Sequence, residues 1–313
     1  MKGNYIYHLD MYNEDLKREF ISTYSEDTHK FYERVFYNSA PLEKELGKDV
    51  YEFSTEEVEK VLYDLRPPTI ASSRANASIL RTYFNWAIRR GMTMVNALDD
   101  CRGYEWFKKF VVTGIKLYVS ASELMEIEDY CINAQDAVIY RLLFEGVYGK
   151  GCSELINLTR SDVDFDNKIL TLRDGDSVRK LNVSLRCIEL IKDALNEEVY
   201  MKKNGESDVK DNQREYFVLS ESDYVIRPIK SRNVSQNINN MIVTRRVKLI
   251  NELFGYPKLT PKNIQRSGMI HMFKEMGANP DEITELHYQK IANRFGLQVT
   301  YAFKDLIQEL VKE

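Results

Sequence analysis

Apolar residues recur at helical spacing through the first third of the chain. Spacings of three and four residues predict one helix over residues 14–37, which the sequence Asn38-Ser39-Ala40-Pro41 should end. A second helix should begin after Ser54, because a glutamate follows three residues later as in a capping box. A third should run from Thr69 to Gly91 with its apolar residues on one face. This region is therefore predicted to be a small all-helical domain.

The pattern from residue 119 onward mixes helices with short strands. Ser120 followed by Glu123 predicts a further capped helix start. Helical spacing recurs over residues 136–146, 185–199 and 233–254. Two apolar-rich segments, residues 168–172 and 179–184, flank an Asp-Gly-Asp turn and predict a β-hairpin. We expect a mainly α protein with a small β-hairpin or sheet (α+β).

Two domains are expected from the change in pattern. Residues 1–110 form the helical domain and residues 119–313 form the mixed domain. A segment rich in aromatic residues and lysines precedes the capping box at Ser120. We take residues 111–118 as the linker between the two domains. The 313 residues are enough for two cores of ordinary size.

The distribution of charge matters more than its sum. A net charge of -4 argues at first against a nucleic-acid partner. However, residues 66–116 carry nine bases against three acids, and residues 225–274 carry ten bases against one acid. Two basic blocks in an otherwise acidic chain predict binding to a polyanion, since neutralisation of phosphates depends on local charge. Chance clustering on solvated helix faces is the alternative.

Several other classes of protein are unlike this sequence. The four cysteines are far apart and the chain has four histidines, so no metal or other cofactor is expected. No apolar run approaches the roughly 20 residues that span a membrane. The first residues are too polar and too acidic for a signal peptide. We expect a cytoplasmic protein.

Residues 256–301 carry the most informative sequence. They contain the turn Leu259-Thr260-Pro261, a helix, the break Gly277-Ala278, and a terminal Thr300-Tyr301. Earlier, Ser153-Glu154-Leu155 precedes an Asp-x-Asp sequence and the predicted hairpin. This layout resembles the tyrosine recombinases of the phage integrase family. The resemblance implies a two-domain clamp, in which a helical SAM-like core-binding domain precedes a recombinase catalytic-type domain.

The resemblance also implies where the chemistry should lie. In the family a tyrosine attacks the phosphodiester, two arginines and histidines bind its non-bridging oxygens, and a hairpin lysine protonates the leaving oxygen. Here the arginine positions fall on Gly151 and Gln265, and the first histidine position falls on Lys262. Lys180 matches the hairpin lysine. Tyr301 matches the nucleophile, although we interpret it as a packed aromatic residue of the last helix.

The degenerate site predicts a protein that holds DNA without cutting it, and hence no enzyme activity. We expect base readout from the helix that bears Arg74, Asn76 and Arg81, and phosphate contacts from the basic C-terminal block. The full set of expected DNA contacts is Arg74, Asn76, Arg81, Lys108, Lys109, Lys150, Arg179, Lys180, Arg232, Arg245, Lys262 and Arg266.

The resemblance favours a sequence-specific transcriptional regulator that binds operator sites in double-stranded DNA, namely a phage or prophage repressor that maintains lysogeny. A divergent integrase that uses Tyr301 is the first alternative, and an accessory recombination factor is the second. The amphipathic tail after Phe303 is compatible with a homo-oligomer and equally with packing in its own chain. A peptide or protein antagonist is also left open.

Overall fold

The computed structural model describes residues 10–206, 214–230 and 238–312. The chain divides into two compact units, Met1–Ile115 and Lys116–Glu313. The described residues are mostly helical with small sheets, which confirms the predicted fold class. No helix among them combines the length and the apolar character needed to cross a bilayer.

The N-terminal unit is helical and has an aromatic core. Its helices are α1 (Glu14–Ile21), α2 (Glu26–Leu46), α3 (Thr55–Asp64), α4 (Ile70–Arg89) and α5 (Tyr104–Lys108). The buried ring of Tyr83 contacts Phe20 and Phe36 edge-on at 5.0 and 4.9 Å between centroids, Trp86 stacked at 5.7 Å, and Tyr51 tilted at 6.1 Å. The capping boxes at Ser54 and Thr69 start α3 and α4.

The predicted single helix over residues 14–37 is wrong in two respects. The first helix ends at Ile21, and α2 begins after Ser25, whose backbone is extended. It then continues through Pro41 and ends only at Gly47, whose φ of 65° is in the left-handed region. Pro41 costs α2 one backbone hydrogen bond. Burial of neighbouring residues, including Ser39 and Ala40, stabilises the helical conformation across it.

The C-terminal unit combines helices with two small antiparallel sheets. Its helices are α6 (Ala121–Tyr130), α7 (Ala134–Glu145), α8 (Ser153–Ile156), α9 (Leu185–Asn196), α10 (Asn240–Phe254), α11 (Pro261–Glu275), α12 (Glu285–Phe295) and α13 (Tyr301–Leu310). Its strands are β1 (Val163–Asp164), β2 (Ile169–Asp174), β3 (Ser177–Asn182), β4 (Val199–Met201) and β5 (Tyr216–Val218). The sheets have the orders β1-β2-β3 and β4-β5, and β2 and β3 form the predicted hairpin.

The central helix α7 positions α11. Residues 135–145 of α7 are all buried, and α11 crosses it at Gly268. A Cβ atom on Gly268 would lie 1.8 Å from the carbonyl oxygen of Phe144, so only glycine permits this close approach. Val119 donates its backbone N–H to Ser267 Oγ at 3.0 Å, which holds the same turn from another side. The N-terminal half of α11 is thereby fixed in place.

Some predicted boundaries in this unit were wrong. The helix predicted over residues 185–199 ends at Asn196, and the chain then enters β4. After the Gly277-Ala278 break, the next helix begins only at Glu285, behind the capping residue Thr284. The basic helix predicted over residues 233–254 begins at Asn240, behind the capping residue Asn239, and residues 233–237 lie outside the described part of the chain.

Candidate nucleic-acid interface

A cavity of about 660 Å³ lies in the C-terminal unit at the N-terminal half of α11. It is lined by residues 148–151, by α11, by Asp174 of the hairpin and by the segment from Phe295 to Leu306. Its cationic lining residues are Lys150, Lys262 and Arg266. We call this space the basic cavity.

The start of α11 presents its cations to the basic cavity. Thr260 is the N-cap, and its hydroxyl accepts the backbone N–H of Asn263 at 3.2 Å. Pro261 follows at the first helical position, where its missing N–H has no cost. Lys262 and Arg266 lie one turn apart and therefore on the same side. The partial positive charge of a helix N-terminus adds to theirs, and the combination suits an anion.

Arg266 is the strongest candidate ligand for a phosphate. Its side chain is half-buried, and its Nε is buried without a hydrogen-bond partner among the described residues. A buried donor without an acceptor costs about 1–3 kcal/mol unless a ligand supplies one. Burial raises the pKa of the neighbouring Tyr148 phenol, and the charge of Arg266 opposes that effect. Lys150 and Lys262 are exposed beside it.

Gly151, which the resemblance matches to the first family arginine, has a backbone that does not suit arginine. Its φ is 62°, and those of Gly149 and Cys152 are 67° and 66°, all in the left-handed region that disfavours ordinary side chains. Asp174 holds this loop, because it accepts the backbone N–H of Lys150 at 2.8 Å and the hydroxyl of Ser153 at 2.7 Å. The loop is therefore shaped for glycine.

Gln265, which the resemblance matches to the second family arginine, is only 2% exposed. It contributes a neutral amide to the wall of the basic cavity. An arginine held in that wall would carry a charge that needs a partner, whereas an amide needs only hydrogen bonds. Lys262, at the first histidine position, supplies a mobile ammonium and no imidazole.

Arg179, an expected DNA contact, is half-buried, and its guanidinium is bonded within the protein. Its Nε and Nη2 donate to the two carboxylate oxygens of Glu154 at 2.6 and 2.7 Å. Its guanidinium also donates to the carbonyl oxygens of Gly146 and Arg294, both at 2.7 Å. These four bonds tie the hairpin to α8, to the end of α7 and to α12. The next residue, Lys180, is exposed on β3, as a DNA contact requires.

The interpretation of Tyr301 as a packed aromatic residue was wrong. Tyr301 is the first residue of α13 and its side chain is 91% exposed. Its neighbours Thr300 and Ala302 line the basic cavity, whereas Tyr301 is not one of the lining residues. The residues that pack are Phe303, Ile307 and Leu310, which are buried.

The amphipathic tail packs within its own unit. Phe303, Ile307 and Leu310 belong to one buried cluster with Met269 and Phe273 of α11. Tyr288, Ile291 and Phe295 of α12 complete this cluster. The apolar face that the sequence offered for self-association is therefore covered by the same chain.

The N-terminal unit presents a second basic surface on α4. The exposed residues of α4 lie on one side of the helix, mainly at spacings of three, four and seven positions, and are Ala71, Arg74, Ala75, Ser78, Asn85 and Arg89. We call this row the α4 face. Small side chains along its middle allow the helix backbone to approach a groove closely, and arginines stand towards its two ends. The guanidinium of Arg74 lies 5.5 Å from the centre of the Phe107 ring.

Asn76 and Arg81 do not belong to the α4 face, which corrects their assignment to base readout. Asn76 is 2% exposed, and its Oδ1 accepts a hydrogen bond from Arg34 Nη2 at 2.5 Å. Arg81 donates to the carbonyl oxygens of Leu98 and Cys101 at 3.0 and 2.8 Å, and so holds the loop after α4. Sequence reasoning missed Ser78, Asn85 and Arg89, although their spacing from Arg74 was visible.

The other expected DNA contacts have mixed surroundings. Lys108 is exposed, and Lys109 is exposed but pairs with Glu59 at 3.1 Å. Arg245 is exposed on α10. Arg232 lies outside the described residues. In the described part of the chain, no three His, Cys, Asp or Glu side chains are placed to hold a metal ion.

The fold matches solved recombinases over nearly its whole length. It is similar to the lambda integrase(75-356) dimer bound to a COC' core site, with 11% identity, coverage of 96% of each chain and a TM-score of 0.54. It is also similar to the Tn1549 transposon integrase (aa 82-397) in complex with circular intermediate DNA, with 12% identity, coverage of 93% and 94%, and a TM-score of 0.52. The protein therefore has the two-domain tyrosine recombinase fold.

The particular family is defined by two further matches. The family model described as "MrpR, C-terminal catalytic domain" matches residues 118–313, and "MrpR, N-terminal core-binding domain" matches residues 11–89. The chain belongs to the MrpR family. It is 30% identical over 319 residues to the SPbeta prophage-derived uncharacterized protein YopR of Bacillus subtilis (strain 168), which covers 96% of this chain and 94% of that protein.

Proposed function

We propose that this protein is a prophage transcriptional regulator that binds duplex DNA with a recombinase fold and does not cut it. One observation carries the proposal. The basic cavity keeps the cations Lys150, Lys262 and Arg266, while Gly151 and Gln265 stand where the family has arginines.

Binding and cleavage place different demands on this cavity. A transferring phosphoryl group gathers negative charge on its non-bridging oxygens, and fixed bidentate cations stabilise it there. Removal of one such donor typically costs about a hundredfold to a thousandfold in rate. A lysine is a point charge without the guanidinium fork. The remaining cations are therefore suited to a ground-state phosphate, and the site lacks two of the groups that transfer would need.

The α4 face supplies the sequence readout in this proposal. An α-helix fits the major groove of B-form DNA, where arginine recognises guanine and asparagine recognises adenine. The α4 face offers both side-chain types at Arg74, Asn85 and Arg89. Phosphate contacts from the basic cavity would then set the affinity and its dependence on salt. The solved neighbours described above are themselves DNA complexes.

The prophage setting is supported by the relative YopR, which is prophage-derived. We propose a repressor that maintains lysogeny by occupying operators in the host nucleoid. The test is to select bound fragments from sheared DNA of a lysogen with the full-length protein, and to place them before a reporter. We expect a small set of specific sites and repression from them. Binding without sequence preference, or specific binding without any effect on transcription, would contradict the proposed role as a regulator.

An active recombinase is the second candidate, and the exposure of Tyr301 favours it. The discriminating substrate is a nicked suicide duplex that carries a selected site, because cleavage would trap a covalent protein–DNA adduct. We expect no adduct. An adduct that disappears in Tyr301→Phe would replace the regulator with an enzyme.

A further inference from the structure

Arg34 on α2 is a half-buried cation without an anionic partner. In the described residues of the N-terminal unit, no carboxylate lies within ion-pair distance of it, although residues 14–65 hold fourteen acids and seven bases. Lys17 of the same unit is paired by contrast, since it lies 2.6 Å from Glu43 and 3.2 Å from Asp49. Burial lowers the pKa of Arg34, and no neighbouring acid opposes that effect.

Such an arrangement costs free energy in the isolated protein. Removing a charged group from water is unfavourable unless an opposite charge or hydrogen bonds compensate. Arg34 has one compensating side-chain bond, from its Nη2 to Asn76 Oδ1 at 2.5 Å. A guanidinium has five N–H donors, so the fork keeps donors and its full charge for a ligand. The missing partner is an anion.

Asn76 holds Arg34 without neutralising it. Asn76 lies on the inner side of α4 and is 2% exposed, and its Nδ2 is buried with no partner among the described residues. An aspartate there would satisfy the guanidinium and cancel its charge, whereas the amide orients it and leaves the charge intact. The anchor also restricts the reach of Arg34, because the guanidinium is tied to the inner side of α4 rather than to the exposed α4 face.

We propose that Arg34 binds a backbone phosphate of duplex DNA and that Asn76 is its positioning residue. This inference rests on the proposed DNA-binding function. Lys30 lies one turn earlier on α2 and is exposed, so it adds positive charge on the same side of the helix. A phosphate is the expected ligand because its oxygens accept a bidentate fork and because the anchored side chain does not need to enter a groove.

The decisive variant is Asn76→Asp, which has nearly the same shape and places a carboxylate against Arg34. We expect the affinity of the full-length protein for a short fluorescent duplex of arbitrary sequence to fall about tenfold at low salt. The slope of the logarithm of the binding constant against the logarithm of the salt concentration should become shallower by the contribution of about one phosphate contact. A second variant, Arg34→Gln, removes the charge, keeps an amide donor towards Asn76, and should give the same loss. The matched control Ser25→Asp adds a negative charge to the same helix at its N-cap, where aspartate is well tolerated, and should bind as the wild type does.

The possible outcomes distinguish a failure of this inference from a failure of the proposed DNA-binding function. If both variants fold and bind like the wild type, Arg34 is structural and the inference is wrong, while DNA binding stands. A loss confined to a preferred sequence would assign Arg34 to a base edge and overturn the phosphate contact. If the wild type itself binds no duplex at low salt, the proposed function fails before any variant is compared.

Discussion

The two basic surfaces of this protein are built in different ways. The α4 face comes from one helix, and its members follow from a spacing of three and four residues. The basic cavity collects residues from segments between Tyr148 and Leu306. Charge density located the first surface but chose two wrong residues on it, Asn76 and Arg81. A motif pointed to the second surface, where Lys150, Lys262 and Arg266 line the cavity, yet it could not separate them from Arg179, which is bonded to Glu154. Helical periodicity is needed to choose the residues of the α4 face, and tertiary contacts are needed to choose those of the basic cavity.

The largest expected effect concerns Arg179, which charge alone assigned to DNA. Removing one partner of a largely buried ion pair leaves an uncompensated charge and typically costs about 3–5 kcal/mol. We therefore expect Arg179→Ala to lower the free energy of unfolding by about 3 kcal/mol in urea denaturation, because Glu154 loses its partner. The neighbouring Lys180→Ala is the control, and should change stability by less than about 0.5 kcal/mol. If Arg179→Ala were as stable as the wild type but bound DNA poorly, Arg179 would be a DNA contact and not a structural residue.

The next effect concerns the basic cavity. Hydrogen bonds to charged groups contribute about 1.5–3 kcal/mol, so Arg266→Ala should weaken duplex binding by about tenfold or more. Lys262→Ala should weaken it less, since an exposed ammonium is a point charge. Both variants should weaken all duplexes alike and flatten the dependence of the binding constant on salt. Titrations at several salt concentrations measure this. A loss that depends on sequence would mean that the cavity does not hold phosphate.

Local sequence signals predicted most of the elements, and burial explains where they failed. Ser54, Thr69 and Ser120 cap helices as their sequences indicate, because a capping box needs only four consecutive residues. Pro41 did not end α2, since packing of the surrounding turn outweighs one lost hydrogen bond. Arg179 could not be assigned, because Glu154 lies 25 residues away in the chain. Tyr301 could have been, since it lies two positions before the buried Phe303 and hence on another side of α13.

A smaller and more selective effect is expected on the α4 face. Arg74→Ala should reduce affinity for a selected site by about 1–3 kcal/mol and leave binding to arbitrary duplexes nearly unchanged, because base contacts carry the specificity. Competition between the selected and an arbitrary duplex gives the ratio directly. Thr82→Ala is a suitable control near the same row, since its hydroxyl bonds the carbonyl oxygen of Ser78. An equal loss on both duplexes would make Arg74 a phosphate contact and would remove the main contrast between the two surfaces.

The smallest effect is expected from restoring an arginine to the basic cavity. Gly151→Arg supplies the missing residue type, but it must adopt a φ of 62°, and its Cβ would meet Asn240 Nδ2 at 3.4 Å. A left-handed conformation costs an ordinary residue about 1 kcal/mol or more, so stability should fall slightly. The guanidinium would also leave the backbone in a direction set by a loop that Asp174 holds. We expect no adduct on the suicide duplex, even when Gln265→Arg is added. If the double variant formed an adduct, the missing arginines alone, and not the backbone of this loop, would explain why the protein binds DNA without cutting it.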